Sequence, residues 1–295
     1  MNLSKLGFIF LLFALAAHAA PEPGSAATLR ASYAAQRARL AASPFGRPLA
    51  LESRQTAGEV QGAAYAVVDH PFAELRRGLS GPRQWCEILI LHLNVKDCRA
   101  APGAGGLALF LGRKRPEPPG NAQRLDFAYR AVADAPDYLQ TVLHADGGLA
   151  GTRDYRIRLE AMPLDAGHSF VVLSYSYAYG IAARIALKAY LATFGAGKVG
   201  FTILGEQTDG GPEYVGGLRG IVERNVMRYY LAVEAHLGAL SSPPAVRAEK
   251  SMRDWFAATE RYPLQLHELG WPAYVEMKRV EFRRESLALR AADPR

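Results

Sequence analysis

Four polar side chains, Arg219, Asn225, Tyr229 and His236, share one proline-free stretch, GGLRGIVERNVMRYYLAVEAHLGAL, over residues 216–240. With Val222 at zero on a helical wheel, all four fall within about 60° of it, together with Leu218, Val226, Val233 and Leu237. A guanidinium, an amide, a phenol and an imidazole set into an apolar stripe suit two tasks. They satisfy one another and a facing sheet inside a core, or they hold the polar end of a ligand in an otherwise apolar pocket. An unpaired buried polar group costs roughly 1–3 kcal/mol, which is why one of the two must hold. Glu223 follows Arg219 by four residues, the spacing of a helix-surface ion pair, and Arg228 completes the polar set. A second group, Tyr175, Tyr177 and Tyr179, alternates along HSFVVLSYSYAYG and projects from one strand face. It reads either as cross-strand aromatic packing or as phenols lining a pocket. Thr152, Arg153 and Asp154 follow the glycine-rich GGLAG as a turn and strand start, or as part of a pocket rim.

Other chemistries lack their residues. The chain has no G-x-S-x-G, phosphate-loop, H-E-x-x-H or paired-cysteine metal motif. The strings GAGG (103–106) and GAGK (195–198) lack the helix start that a phosphate cradle needs and read as turns. His70, His92, His144, His168, His236 and His267 are scattered without a fixed ligand partner, so each is first read as structural and no metal or cofactor is expected. The two cysteines, Cys86 and Cys98, are close in sequence and even in number, which in an exported chain predicts a disulfide. Two buried thiols are the alternative.

Elements must hold these groups in place. The 216–240 segment predicts a helix of roughly 37 Å, at 1.5 Å per residue. Upstream, Leu29, Tyr33, Gln36 and Leu40 give a thin stripe that predicts a peripheral helix over 26–42. PLALES and EVQGAAYAVVD read as strands, PFAELRRGL as a short helix, and GPRQWCEILILHLNVKDC as a helix over 82–91 followed by a strand over 93–98. Four further alternating runs lie in RLDFAYRAV, YLQTVLHAD, TRDYRIRLEAM and HSFVVLSYSYAYG, after the strand GLALFLGRK. Such alternation predicts an antiparallel meander with one wet and one covered face. Residues 181–194 read as helix and KVGFTILGE as a short strand. The tail after Leu240 reads as helices interrupted by proline, with Met252, Trp255, Phe256 and Tyr262 expected to dock it onto the body.

The N-terminus carries an address. Lys5, an apolar run over 6–17 and the small-x-small Ala17-His18-Ala19 predict a secretory signal over 1–19, and hence a periplasmic or secreted product. The run is shorter than the roughly 20 residues of a spanning helix. The formal charge is 35 − 28 = +7, but the bases are spread among acids, so no nucleic acid partner is implied. That balance allows an unspecific peripheral attraction to anionic membrane surfaces. The oligomeric state is left open.

The order of strand, two short helices, antiparallel meander and late long helix resembles the START-related helix-grip superfamily. The likeness spans roughly residues 49–240, on VVDHPFAELRRGL, Trp85 and RGIVERNVMRYYLAVEAHL. The resemblance implies an α+β fold whose curved sheet wraps the 216–240 helix over a pocket. Around that domain, 47–240, stand an N-terminal helical segment, 20–46, and a C-terminal helical appendage, 241–295. It also implies a lipid or other apolar small molecule bound by Arg219, Asn225, Tyr229, His236 and the three tyrosines. Two other readings stand beside it. One is an enzyme in the same cavity with Glu223, His236 or a tyrosine as acid or base, which needs two titratable groups converging. The other is an envelope scaffold with a filled core and an exposed apolar patch.

Overall fold

The computed structural model describes residues 24–101, 103, 105–181, 184, 185 and 197–292. The expected leader over 1–19 and most of the expected helix over 181–194 lie outside the described residues. Helix α1 (Ala26–Ala41) opens on a Ser25 cap whose side chain accepts from the Thr28 N–H at 3.1 Å. Strands β1 (Leu49–Gln55) and β2 (Glu59–Val68) follow, then helices α2 (Phe72–Leu79) and α3 (Pro82–Leu89). A meander of β3 (Val95–Ala100), β4 (Gly106–Leu111), β5 (Gln123–Ala135), β6 (Tyr138–Gly147), β7 (Thr152–Pro163) and β8 (Ser169–Tyr179) comes next. A small hairpin, β9 (Ile203–Glu206) and β10 (Pro212–Tyr214), leads into the long helix α4 (Gly217–Ala239). The tail forms α5 (Pro244–Thr259), α6 (Pro263–Leu266) and α7 (Trp271–Ala292).

The eight long strands form one antiparallel sheet in the order β1-β2-β8-β7-β6-β5-β4-β3. The inward residues are those the alternation marks: Ile157 and Leu159 on β7, and Val171, Leu173, Tyr175, Tyr177 and Tyr179 on β8. Helix α4 lies on this face against β1, β2 and β8. At Gly62 on β2 a Cβ would stand 3.3 Å from the side chains of Val222 and Val226, so glycine lets the helix approach the strand closely. The result is the expected α+β helix-grip arrangement, a sheet around a long late helix.

Three expectations change. The outer sheet face is not all wet, because α1 covers part of it: Leu29, Leu40, Ala50, Tyr138, Met162 and Phe170 form a second small core, with Tyr33 5.0 Å from the Phe170 ring. Helix α4 is not one-sided either. Met227, Arg228, Tyr230 and Leu231, outside the predicted stripe, are also buried, and the tail packs on the helix. No ion pair joins Arg219 to Glu223. The Glu223 carboxylate instead accepts from Ser53 Oγ (2.5 Å), Thr202 Oγ1 (2.6 Å) and the N–H groups of Phe201 (2.6 Å) and Thr202 (2.9 Å). Arg219 donates to the same Ser53 hydroxyl at 3.0 Å.

The tail docks through aromatic and charged groups. Trp255 donates its indole N–H to the Arg228 carbonyl at 3.1 Å and stacks on Tyr274, whose hydroxyl donates to Leu91 O at 3.1 Å. Between β3 and α7 lies a fully buried set of ions: Glu281 pairs with Lys96 (3.2 Å) and with Lys278 (2.7 Å). The Lys278 ammonium also donates to His92 O (2.7 Å) and Val95 O (2.8 Å). On the other side of the same turn, the disulfide Cys86–Cys98 joins α3 to β3. Among the described residues no helix is long and apolar enough to cross a membrane.

Candidate ligand cavity

A cavity of about 340 Å³ lies between α4 and the curled β4–β8 part of the sheet. Its walls are apolar and aromatic: Leu109 and Leu111 on β4, Leu125 and Phe127 on β5, Ile157 on β7, and Ile221 on α4. Strand alternation delivers the sheet contribution, since every second residue of adjacent strands faces α4. Partly exposed Leu111, Leu149 and Ile221 and exposed Ala150 stand where the β6–β7 turn and α4 leave the cavity open. In that turn Ala150 takes the left-handed conformation with φ 52°, a choice uncommon for a residue with a side chain.

Aromatic rings fill one side. Tyr155 stacks on Tyr177 at 5.2 Å, and Tyr175 meets Tyr229 edge-on at 5.4 Å. The Tyr155 hydroxyl shares a 2.7 Å hydrogen bond with Thr152 Oγ1, which reaches the Leu149 carbonyl. Burial raises the Tyr155 phenol, and it pushes Tyr175 well above its usual value despite a hydrogen bond from Asn225. Burial likewise lifts Tyr177 and Tyr229. All four phenols therefore stay protonated at neutral pH and act as hydrogen-bond groups, not as bases.

The residues singled out by sequence divide. Tyr175, Tyr177, Asn225 and Tyr229 converge on the cavity, and Thr152 joins them. Tyr179 does not. Its hydroxyl donates to Thr56 O at 2.7 Å and accepts from Gln55, tying β8 to the β1–β2 turn. Arg219 lies in a separate cleft at the β1 edge with Arg39, Glu52, Arg54 and Gln61. His236 lies near the far end of α4, where its Nε2 meets Gly78 O at 3.0 Å and Glu87 stands 3.7 Å from its Nδ1. The separation follows from length: positions 219 and 236 share a wheel sector but are roughly 25 Å apart along the axis.

His92 and Asn94 also line the cavity, and the sequence reading did not place them there. They occupy the turn after α3, where His92 N–H donates to Leu89 O at 3.0 Å. The Asn94 N–H donates to His92 Nδ1 at 3.2 Å, and its side chain donates to Gly112 O at 2.8 Å. Nδ1 is thus an acceptor, which puts the ring proton on Nε2. Nε2 is buried with no partner among the described residues. Burial first, and then the charges of Arg228, Lys114 and Lys278, hold His92 well below its ordinary value, so the ring is neutral. Among the described residues no Asp, Glu, Lys or Arg belongs to the lining. Among the described residues no group of three or more His, Cys, Asp or Glu side chains could hold a metal ion.

No protein-family model and no curated protein matches the chain. The resemblance to START-related helix-grip proteins extends to solved structures. A START superfamily protein from Mycobacterium smegmatis is 14% identical over 42% of this chain and 80% of its own, with a TM-score of 0.31. Norcoclaurine synthase from Thalictrum flavum is 12% identical over 48% of this chain and 91% of its own, with a TM-score of 0.34. A conserved protein from Geobacillus kaustophilus is 9% identical over 60% and 95%, with a TM-score of 0.35. At these scores, the fold is described by its own strand order and gripped helix.

Proposed function

We propose that this protein binds one compact apolar molecule between its sheet and α4. The observation that carries the reading is the cavity itself: about 340 Å³, walled by leucine, isoleucine, phenylalanine and tyrosine, with a few polar atoms converging on it. Small-molecule sites have this form and occupy roughly 300–1,000 Å³. The volume lies near the low end of that range, which favours a single compact or single-chain molecule over a two-chain lipid. The enzyme reading loses its strongest acid–base candidates, since Glu223 is consumed by Ser53, Phe201 and Thr202 and His236 lies outside the cavity. We also propose that binding takes place outside the cytoplasm, from the leader-like residues 1–19. Mass spectrometry of the organic extract of purified protein tests the binding reading: one stoichiometric apolar molecule is expected. Protein that extracts clean and takes up no neutral hydrophobic dye would refute it. Cell fractionation with N-terminal sequencing tests the location, the expected first residue being Ala20.

A further inference from the structure

We infer that His92 is the specificity-determining hydrogen-bond donor of this cavity, and that the ligand is a neutral, ring-bearing molecule with a carbonyl oxygen. The inference rests on the reading of the cavity as a ligand site and names what that site selects. The first ground is the orphaned Nε2–H. A buried donor without a partner is costly, and the ring cannot turn its proton elsewhere while Asn94 N–H occupies Nδ1.

The second ground is that the turn carrying His92 is pinned on three sides. The Cys86–Cys98 disulfide brackets it, Lys278 holds its carbonyl at 2.7 Å, and Asn94 is tied to Gly112. A donor held this firmly and left unpaired is preorganised for something that enters. The third ground is charge. Among the described residues the lining offers no counterion for a carboxylate or an ammonium, and a charge buried without a partner is strongly disfavoured. Arg228, Lys114 and Lys278 all act on His92, and Glu268 offsets them only in part. Their field opposes an ammonium and favours the negative end of a carbonyl dipole at Nε2. The rings decide the rest of the ligand. Tyr229 lies 5.3 Å from the His92 ring, and the stacked Tyr155 and Tyr177 also line the cavity, so a flat ring finds faces and edges to pack on.

Calorimetric titration of the full-length protein, stripped of bound molecules, with 2-acetylnaphthalene, 2-ethylnaphthalene and 2-naphthoate tests this. The first two differ by one carbonyl, and the third carries a negative charge. The acetyl compound should bind roughly 2- to 12-fold tighter than the ethyl compound, the affinity of one net hydrogen bond. In His92→Phe that preference should vanish. In protein with 15N-labelled histidine, the His92 Nε2–H resonance should move with the acetyl compound and not with the ethyl compound, a readout that needs no variant to fold. Equal affinities in the wild type, tightest binding by naphthoate, or a preference surviving in His92→Phe would each overturn the assignment to His92 while leaving the cavity a binding site. Binding of none of the three, in protein that also extracts clean, would overturn both.

Discussion

Replacing Glu268 by glutamine tests how the tail is fastened to α4. Glu268 stands between α6 and α7, and its carboxylate meets four cations: Lys114 (2.5 Å), Arg224 (2.5 Å), Arg228 (3.1 Å) and Lys198 (2.7 Å). Burial would raise this carboxyl, but Lys114 and Arg228 outweigh it and bring it from 4.5 down to about 2. A shift of that size corresponds to roughly 3 kcal/mol of folding stability at neutral pH. Because the folded-state value is the lower one, the contribution is complete above about pH 4.5 and is lost as pH falls towards about 2. Lys114 works in the opposite sense. Burial and the neighbouring Arg228 lower its ammonium to about 7 although Glu268 supports it, so its cost fades as pH rises from about 7 towards 10.5. With Glu268 neutralised, Lys114 can shed its proton, which keeps the loss near 3 kcal/mol and below the upper end of the range for a broken buried pair, about 3–5 kcal/mol. Urea unfolding followed by tryptophan fluorescence at pH 7 and pH 3 measures it. The gap between wild type and Glu268→Gln should be roughly 3 kcal/mol at pH 7 and about half that at pH 3. The variant should also begin to gain stability with pH earlier than the wild type. An equal gap at both pH values, or no gap at pH 7, would refute the account of Glu268 as the charge holding the tail.

Asn225→Leu should leave ligand-free stability within about 1 kcal/mol, because Tyr155 still hydrogen-bonds the Tyr175 hydroxyl, while the variant retains less of the co-purifying molecule. A large drop in the melting temperature of the empty protein would instead make the amide structural. Leu159→Asp should unfold the domain and Arg158→Asp should cost under about 0.5 kcal/mol, since Leu159 is fully buried and Arg158 is exposed. Matching melting curves would show the β7 faces to be reversed. Replacing both Cys86 and Cys98 by alanine should cost about 2–4 kcal/mol in urea unfolding. An unchanged midpoint would show that the buried Lys278 and Glu281 contacts alone hold the α3–β3 turn.

Period-2 patterning made most of the sheet legible. A run such as TRDYRIRLEAM has one workable orientation once a face is covered, because shifting it by one residue would bury Arg156 and Arg158. The helix 216–240 was legible for the same kind of reason, as was the pairing of two isolated cysteines. Coverage by distant segments was not. Nothing local to α4 says that Arg224 and Arg228 face a carboxylate 44 and 40 residues later, and a wheel drawn from one stripe leaves both off it. The α1 stripe is thin because it meets only the small outer core around Phe170.

The cavity was legible in half, and the half that failed shows what a wheel omits. A wheel projects a helix onto a circle and discards height, so it grouped Arg219, Asn225, Tyr229 and His236, of which only the middle two reach one cavity. The tyrosines of β8 have the same weakness along a strand: Tyr175 and Tyr177 face the cavity, while Tyr179, two residues on, has passed its end and binds the β1–β2 turn. His92 carried no signal of its own. It sits in a five-residue turn, 90–94, between helix and strand, where neither period applies, and its placement depends on partners at Asn94 and Lys278. A hint was present in its flanks, since a polar residue enclosed by Leu91 and Leu93, between two bridged cysteines, is bound to be buried. Buried polar groups need partners, and His92 satisfies this on one nitrogen only. On the proposed reading of this cavity as a ligand site, that unsatisfied nitrogen is the group that a ligand would complete.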